Sequence, residues 1–306
     1  MAAETTPLLL TPARRAGAER LSRQGAYAWC RGYTRAHGEN FTVASWFLPK
    51  EQRDHFYAVY AFCRFTDDLG DEAEGDRLAL LDEWEGGLRD CFQGRFSHPI
   101  FAALGRTVRE RGLPQDLFLR LIEANRMDQR LSRFPTYADL VDYCEHSATP
   151  VGRMVLGILG YAGEERAQLA DAICTGLQLA NFWQDVARDY SKGRIYLPLT
   201  DIERFGVSEA DIAARNFTPR FRDLMRFEVE RARALFRAGA PLEGLVDARV
   251  RLDIRLFRLG GEAVLDAIER RNYDVLTARP AISRLTKARL LASALWDVLL
   301  TRLPYR

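Results

Sequence analysis

Gln178-Leu-Ala-Asn181-Phe-Trp-Gln-Asp185-Val-Ala-Arg-Asp189 is the stretch whose periodicity decides the fold. At 3.6 residues per turn, Gln178, Asn181, Asp185 and Asp189 fall at about 0°, 300°, 340° and 20° around a helix, an arc of roughly 80°. Their neighbours Leu177, Leu179, Ala180, Phe182, Trp183, Val186 and Ala187 are apolar. A single polar stripe on an otherwise apolar helix predicts a largely buried element over about Glu165 to Asp189. Unpaired buried carboxylates cost several kcal/mol each, so the stripe needs partners. A structural polar network would supply them, and so would bound cations.

Upstream, Arg64-Phe65-Thr66-Asp67-Asp68-Leu69-Gly70-Asp71 is a second acidic cluster. On a helix Asp67 and Asp71 project from one face, about 5–6 Å apart at their Cβ atoms, and like charges at that spacing destabilise an isolated helix. A solvated acidic face is the plain reading. Mg²⁺ offers another, because it takes oxygen ligands, commonly one or two carboxylates together with substrate phosphates. Two facing helices, each with paired acids, would hold Mg²⁺ ions around a diphosphate. Arg64 shares a face with Asp67 and Asp71 and would either pair with an Asp or grip diphosphate oxygens. Tyr60, one turn earlier, would hydrogen-bond a leaving group or line a cavity.

Helical signals continue outward along the whole chain. Phe56, Val59, Tyr60 and Cys63 recur at spacings of three and four. Pro99 and Pro114 read as first-turn prolines, and Gly112 as a helix stop. Thr136 with Asp139 predicts a capping box opening a helix that runs towards Gly160. Ser208 with Asp211 predicts another cap, and Gly260-Gly261 a break between two late helices. Strand-like alternation is confined to short runs such as Arg194 to Leu197. With no repeat and no linker, the expectation is one all-α domain over 1–306, with an irregular extension over about 1–25.

Composition narrows the function classes. The 306 residues carry 44 basic against 42 acidic side chains, a net charge of +2, which removes the electrostatic reason to expect a nucleic-acid partner. Apolar residues at 47% and charged residues at 28% match a folded globular chain and exclude intrinsic disorder. Five scattered cysteines and four scattered histidines show neither CxxC nor HExxH spacing, so free thiols and no His- or Cys-based metal site are expected. No segment is long and apolar enough for a membrane span. The basic residues of MAAETTPLLLTPARR follow the leucines, the wrong order for a signal peptide, so a cytoplasmic protein is expected. The apolar stretch Leu290 to Leu300 reads as a buried terminal helix or as a peripheral contact with the inner membrane face.

The two acidic motifs together resemble those of the squalene/phytoene synthase family of head-to-head prenyl synthases. The resemblance runs from about His37 to Arg270. Supporting landmarks are His37-Gly-Glu-Asn40-Phe41, Leu48-Pro49, Tyr60-Ala-Phe-Cys-Arg64, Tyr143-Cys144, Val151-Gly152 and Gly193-Arg194-Ile-Tyr196-Leu-Pro198. It implies an isoprenoid-synthase helical bundle with a central apolar channel. It also implies Mg²⁺, or Mn²⁺, on Asp67, Asp71, Asn181, Asp185 and Asp189. Substrate contacts would come from His37, Asn40, Arg64, Gln178, Arg194 and Tyr196, and leaving-group assistance from Tyr60 and Arg64.

Departures from the usual pattern point to a branch. Gln184 stands where phytoene and dehydrosqualene synthases usually carry Arg, and Glu145-His146-Ser147 replaces an aromatic and apolar run. These variants are similar to hydroxysqualene synthases of hopanoid pathways, which convert presqualene diphosphate and water to hydroxysqualene and diphosphate without NADPH. Partner enzymes of the squalene pathway are a further implication. Presqualene diphosphate, squalene and phytoene synthases of the same family remain the alternatives. A non-catalytic assembly factor on the same scaffold is disfavoured because both acid pairs are kept.

Overall fold

The computed structural model describes residues 23–37, 50–283 and 286. The fold is all-α: among the described residues the only strand-like feature is an isolated parallel bridge between Arg133 and Ile195, the latter within the Arg194 to Leu197 run. These residues divide into two compact units, one within Met1–Arg130 plus Arg153–Ala162, the other within Leu131–Gly152 plus Gly163–Arg306. The expected extension over about 1–25 (up to residue 22), His37's neighbours through Pro49, and the Leu290–Leu300 stretch lie outside the described residues.

The first unit holds α1 (Arg23–Ala36), α2 (Lys50–Asp71), α3 (Arg77–Phe92), α4 (Pro99–Arg111) and α5 (Gln115–Arg130). Pro99 is the first residue of α4, where its missing N–H costs nothing, and His98 caps the helix by accepting from the Ile100 amide. Gly112 closes α4 in the left-handed region at φ 64°, as its position predicted. Pro114 immediately precedes α5. Phe62, Phe101 and Phe118 are fully buried, and Trp84 lies against Phe62 and Phe101. The Trp84 indole N–H donates to the buried Thr66 hydroxyl at 2.9 Å. That bond ties the residue next to Asp67 into the core.

The second unit holds α6 (Tyr137–Ser147), α8 (Glu164–Ser191), α9 (Leu199–Arg204), α10 (Glu209–Ala213), α11 (Pro219–Gly239), a 3₁₀ turn (Ala240–Gly244) and α12 (Ala248–Arg270). Between α6 and α8 runs α7 (Thr149–Leu159). Both capping boxes form, at Thr136–Asp139 and Ser208–Asp211. The helix expected from Thr136 to Gly160 is broken at Ala148. Pro150 explains the break: it fits the first turn of α7 but lacks the N–H that a helix interior requires.

Gly260-Gly261 does not separate two helices, because α12 runs straight through it. The glycine serves close packing: a Cβ on Gly261 would lie 2.4 Å from Phe236 Cζ and 2.9 Å from Leu177 Cδ2. Gly176 on α8 meets the same ring, with Phe236 Cε1 3.0 Å from an added Cβ. Three helices therefore close on Phe236, which is fully buried. Gly261→Ala should overpack this point and lower stability by about 1–3 kcal/mol, read as a fall in thermal midpoint. An unchanged midpoint would mean that the ring has room to move.

The described cysteines are all free, as their scatter suggested. Among the described residues no helix is long and apolar enough to cross a membrane.

Candidate functional site

In the first unit the acidic motif closes a helix. Asp67, Asp68 and Asp71 occupy the last turns of α2, which has no basic residue in its final turn. A helix C-terminus already carries partial negative charge, so three carboxylates there act against the macrodipole as well as against each other. Asp67 has an exposed edge, yet the protein around it displaces water and, with Asp71 nearby, raises its carboxyl to about 7. Asn125 on α5 opposes this by donating to Asp67 Oδ1 at 3.2 Å. The motif glycine makes that contact attainable: a Cβ on Gly70 would fall 2.2 Å from Asn125 Oδ1. Gln129, one turn on, donates to the Gly70 carbonyl at 2.9 Å.

Asp68 has different company. Its carboxylate accepts a short hydrogen bond from the Tyr33 phenol and pairs with Arg64 Nη2 at 2.6 Å, while His37 Nε2 lies 3.6 Å away. Arg64 also reaches Glu72 at 2.9 Å, and its Nε–H is buried with no hydrogen-bond partner. Of the two roles foreseen for Arg64, pairing with an Asp is the one this structure displays, and the Asp is Asp68. Tyr60 lies half-buried one turn earlier.

In the second unit, α8 runs from Glu164 to Ser191, close to the expected span. Leu179, Ala180, Phe182, Trp183 and Val186 are buried, as the apolar flanks of the stripe required. Gln178, Asp185 and Asp189 are half-buried and Asn181 is exposed. Burial and the neighbouring Asp185 raise the Asp189 carboxyl to about 6. Asp185 is met by Arg279, whose Nε and Nη2 lie 2.6 and 2.9 Å from its two carboxylate oxygens. Gln184 is buried beside them, accepting from Arg279 at 2.8 Å and donating to the Pro280 carbonyl at 2.7 Å. Both ends of the Gln184 amide are therefore committed to the chain itself.

The loop after α8 places Tyr196 in an aromatic cluster. Its ring stacks on Phe182 with centroids 3.7 Å apart, and Phe134 and Tyr143 complete the group. Arg194 is half-buried beside it. Asn40 lies outside the described residues. His37 is described, with Nδ1 donating to the Tyr33 carbonyl at 2.9 Å.

No group of three or more His, Cys, Asp or Glu side chains converges on one metal position among the described residues. The donor chemistry nonetheless suits a hard divalent ion that takes one or two carboxylates and draws its other ligands from phosphate and water. Arg279 acts as a stand-in cation on Asp185, and the carboxyls of Asp67 and Asp189 are raised first by burial and then by a second acid close by.

Sequence reasoning missed Tyr33, Asp68, Asn125 and Arg279. A signal existed for Tyr33: Trp29, Tyr33 and His37 repeat every four residues and form a ladder along α1 and the residue just after it. Asn125 acts on Asp67 from 58 residues away, beyond the reach of any local spacing. Nothing in the spacing links Arg279 to Asp185, which is 94 residues away.

A model of the squalene/phytoene synthase family matches residues 34–286. A phytoene synthase of Arthrospira platensis is 32% identical over 289 residues, covering 90% of this chain and 91% of its own. The crystal structure of squalene synthase HpnC from Alicyclobacillus acidocaldarius is 51% identical, has a TM-score of 0.81, and covers 85% of this chain and 99% of the other. A crystal structure of a dehydrosqualene synthase in complex with ligand is 25% identical, with a TM-score of 0.82 and coverage of 91% and 98%. The chain thus belongs to the squalene/phytoene synthase family, the head-to-head prenyl synthases with an all-α isoprenoid-synthase fold.

Proposed function

We propose that this protein is a Mg²⁺-dependent prenyl synthase that converts presqualene diphosphate and water to hydroxysqualene and diphosphate. One observation carries the metal dependence: each acid pair stands at i, i+4 towards the C-terminal end of its helix, where carboxylates oppose the macrodipole as well as each other. Asp67 and Asp71, and Asp185 and Asp189 with Asn181, are the residues that would hold Mg²⁺. Bound there, the metal would neutralise charge developing on the diphosphate oxygens.

The chemistry balances without a reductant. The carbon–oxygen bond to diphosphate breaks with its electron pair leaving on oxygen, water adds to the resulting carbocation, and a proton is released. The 51% identity to a protein described as a squalene synthase supports the squalene branch. Water capture is supported by the polar stretch Glu145-His146-Ser147. Ser147 Oγ is buried and has no hydrogen-bond partner, leaving it capacity to hold a water that Gln184 lacks. The phytoene synthase relatives favour a second reading, condensation to phytoene.

Product analysis by mass spectrometry with farnesyl and presqualene diphosphates separates these readings. The purified enzyme should convert presqualene diphosphate to an alcohol with or without NADPH, and ¹⁸O-water should label that oxygen. Excess EDTA should abolish turnover, and Mg²⁺ or Mn²⁺ should restore it. Squalene formed only with NADPH, or an unlabelled alcohol, would overturn the hydration reading; full turnover in EDTA would overturn the metal.

A further inference from the structure

We infer that Tyr33 is a positioning residue for diphosphate binding: its phenol fixes Asp68, and Asp68 in turn holds Arg64 and His37 in place. The inference rests on the proposed reading in which Arg64 and His37 meet the substrate diphosphate. Its basis is the convergence on one carboxylate of side chains from α1, from the residue that follows it and from α2. Tyr33 donates to Oδ2, His37 Nε2 stands 3.6 Å from that oxygen, and Arg64 Nη2 sits 2.6 Å from Oδ1.

The ladder on α1 makes the phenol a rigid donor. Trp29 stacks on Tyr33 with centroids 5.2 Å apart and planes 10° from parallel, and His37 lies against its other side at 4.2 Å. The ring cannot swing without disturbing both neighbours. Burial and the nearby carboxylate push the phenol's ionisation well above its ordinary value, so it remains a donor throughout the working range. His37 is oriented by the same residue, because its Nδ1–H is committed to the Tyr33 carbonyl.

Asp68 thereby acquires a role unlike that of its neighbours. Asp67 contacts Asn125 and shares a helix face with Asp71, whereas Asp68 points to Tyr33, His37 and Arg64. The phenol and the guanidinium each engage one oxygen of the Asp68 carboxylate, and together they set its direction. Without the phenol, Asp68 is free to turn, and Arg64 keeps only the exposed Glu72 as a second holder. A hydrogen bond to a charged group is worth enough for its loss to weaken binding by about tenfold.

The test uses Tyr33→Phe, which removes the hydroxyl and keeps the stack, with Asp68→Asn and Arg64→Gln in parallel. Isothermal titration with inorganic pyrophosphate in saturating Mg²⁺ and steady-state kinetics with the prenyl diphosphate are the readouts. Tyr33→Phe should weaken pyrophosphate binding and raise KM by about tenfold, with a smaller change in kcat and a thermal midpoint close to wild type. Asp68→Asn should reproduce the KM effect. Wild-type affinity in Tyr33→Phe, or a loss matched by a collapse of the thermal midpoint, would overturn the inference and leave the ring a packing element. Unchanged pyrophosphate affinity in Arg64→Gln would overturn both the inference and the diphosphate reading beneath it.

Discussion

Asp67→Asn and Asp185→Asn should each lower turnover by at least about two orders of magnitude while leaving thermal stability unchanged or raised. The activity term follows from losing a charge that holds the cation and, through it, the leaving group; removal of one such stabilising interaction typically costs that much. The stability term has a separate origin. Asp67 is held above its ordinary carboxylate range by desolvation and by Asp71, so its ionised form is less at ease in the folded state than in the unfolded one. Asparagine removes that charge and keeps the Oδ1 acceptor that Asn125 uses. At Asp185 the variant gives up the pair with Arg279, a half-exposed guanidinium whose contribution to stability is about 0–1 kcal/mol. Relief of repulsion on Asp189 offsets it. Steady-state rates and thermal melts on the same samples check both halves. Near-wild-type rates in either variant would make that carboxylate structural.

The expected dissociation of activity from stability at these positions has the same root as the visibility of the acid motifs in the sequence. A residue placed against helix electrostatics has no packing reason to be there, and the offset of four residues exposes it in one dimension. The extent of α8, the two capping boxes, the Gly112 stop and the absence of strands among the described residues were legible for the same reason: each depends on local spacing. The failures share the opposite cause. Gly260-Gly261 looked like a break because nothing nearby reveals that Phe236 needs a surface without a Cβ. Arg279 and Asn125 act on acids far away in sequence, and Tyr33 works through a residue that the motif spacing left aside. Asp68 was invisible as a distinct actor because its identity matches its neighbours and only its direction differs.

Arg231→Met should cost about 3–5 kcal/mol of stability, the range for removing one partner of a buried ion pair. Arg231 on α11 pairs with Asp201 at 2.6 Å and Glu228 at 3.3 Å, and its guanidinium lies 4.3 and 4.2 Å from the ring centroids of Tyr137 and Phe227. Asp201 and Glu228 are buried, so one cation serves two acids. Burial, ahead of the hydrogen bond with Asp201, pushes Glu228 up to about 8, which leaves it largely protonated at neutral pH and the network electrically balanced. A raised carboxyl in the folded state favours the protonated form. Its contribution is therefore present in full below the ordinary range near 4.5 and fades as pH rises towards 8. Glu228→Gln should remove that slope from a plot of thermal midpoint against pH while keeping a donor for Asp201. In Arg231→Met the loss has another origin, because Asp201 is left buried with Glu228 as its hydrogen-bond donor and with no cation. Adding Asp201→Asn should recover part of the stability at neutral pH. The methionine keeps apolar contact with both rings, so the deficit reports the missing charge rather than a cavity. The network also reaches the acid-bearing helix, since the Trp183 indole N–H donates to the Glu228 carbonyl at 3.1 Å. Trp183 stands two residues before Asp185, so loosening at Glu228 should be felt along the polar stripe of α8. If Arg231→Met melted with the wild type at every pH, the triad would be a solvated cluster, and the buried placement of its two acids would be left without a compensating charge.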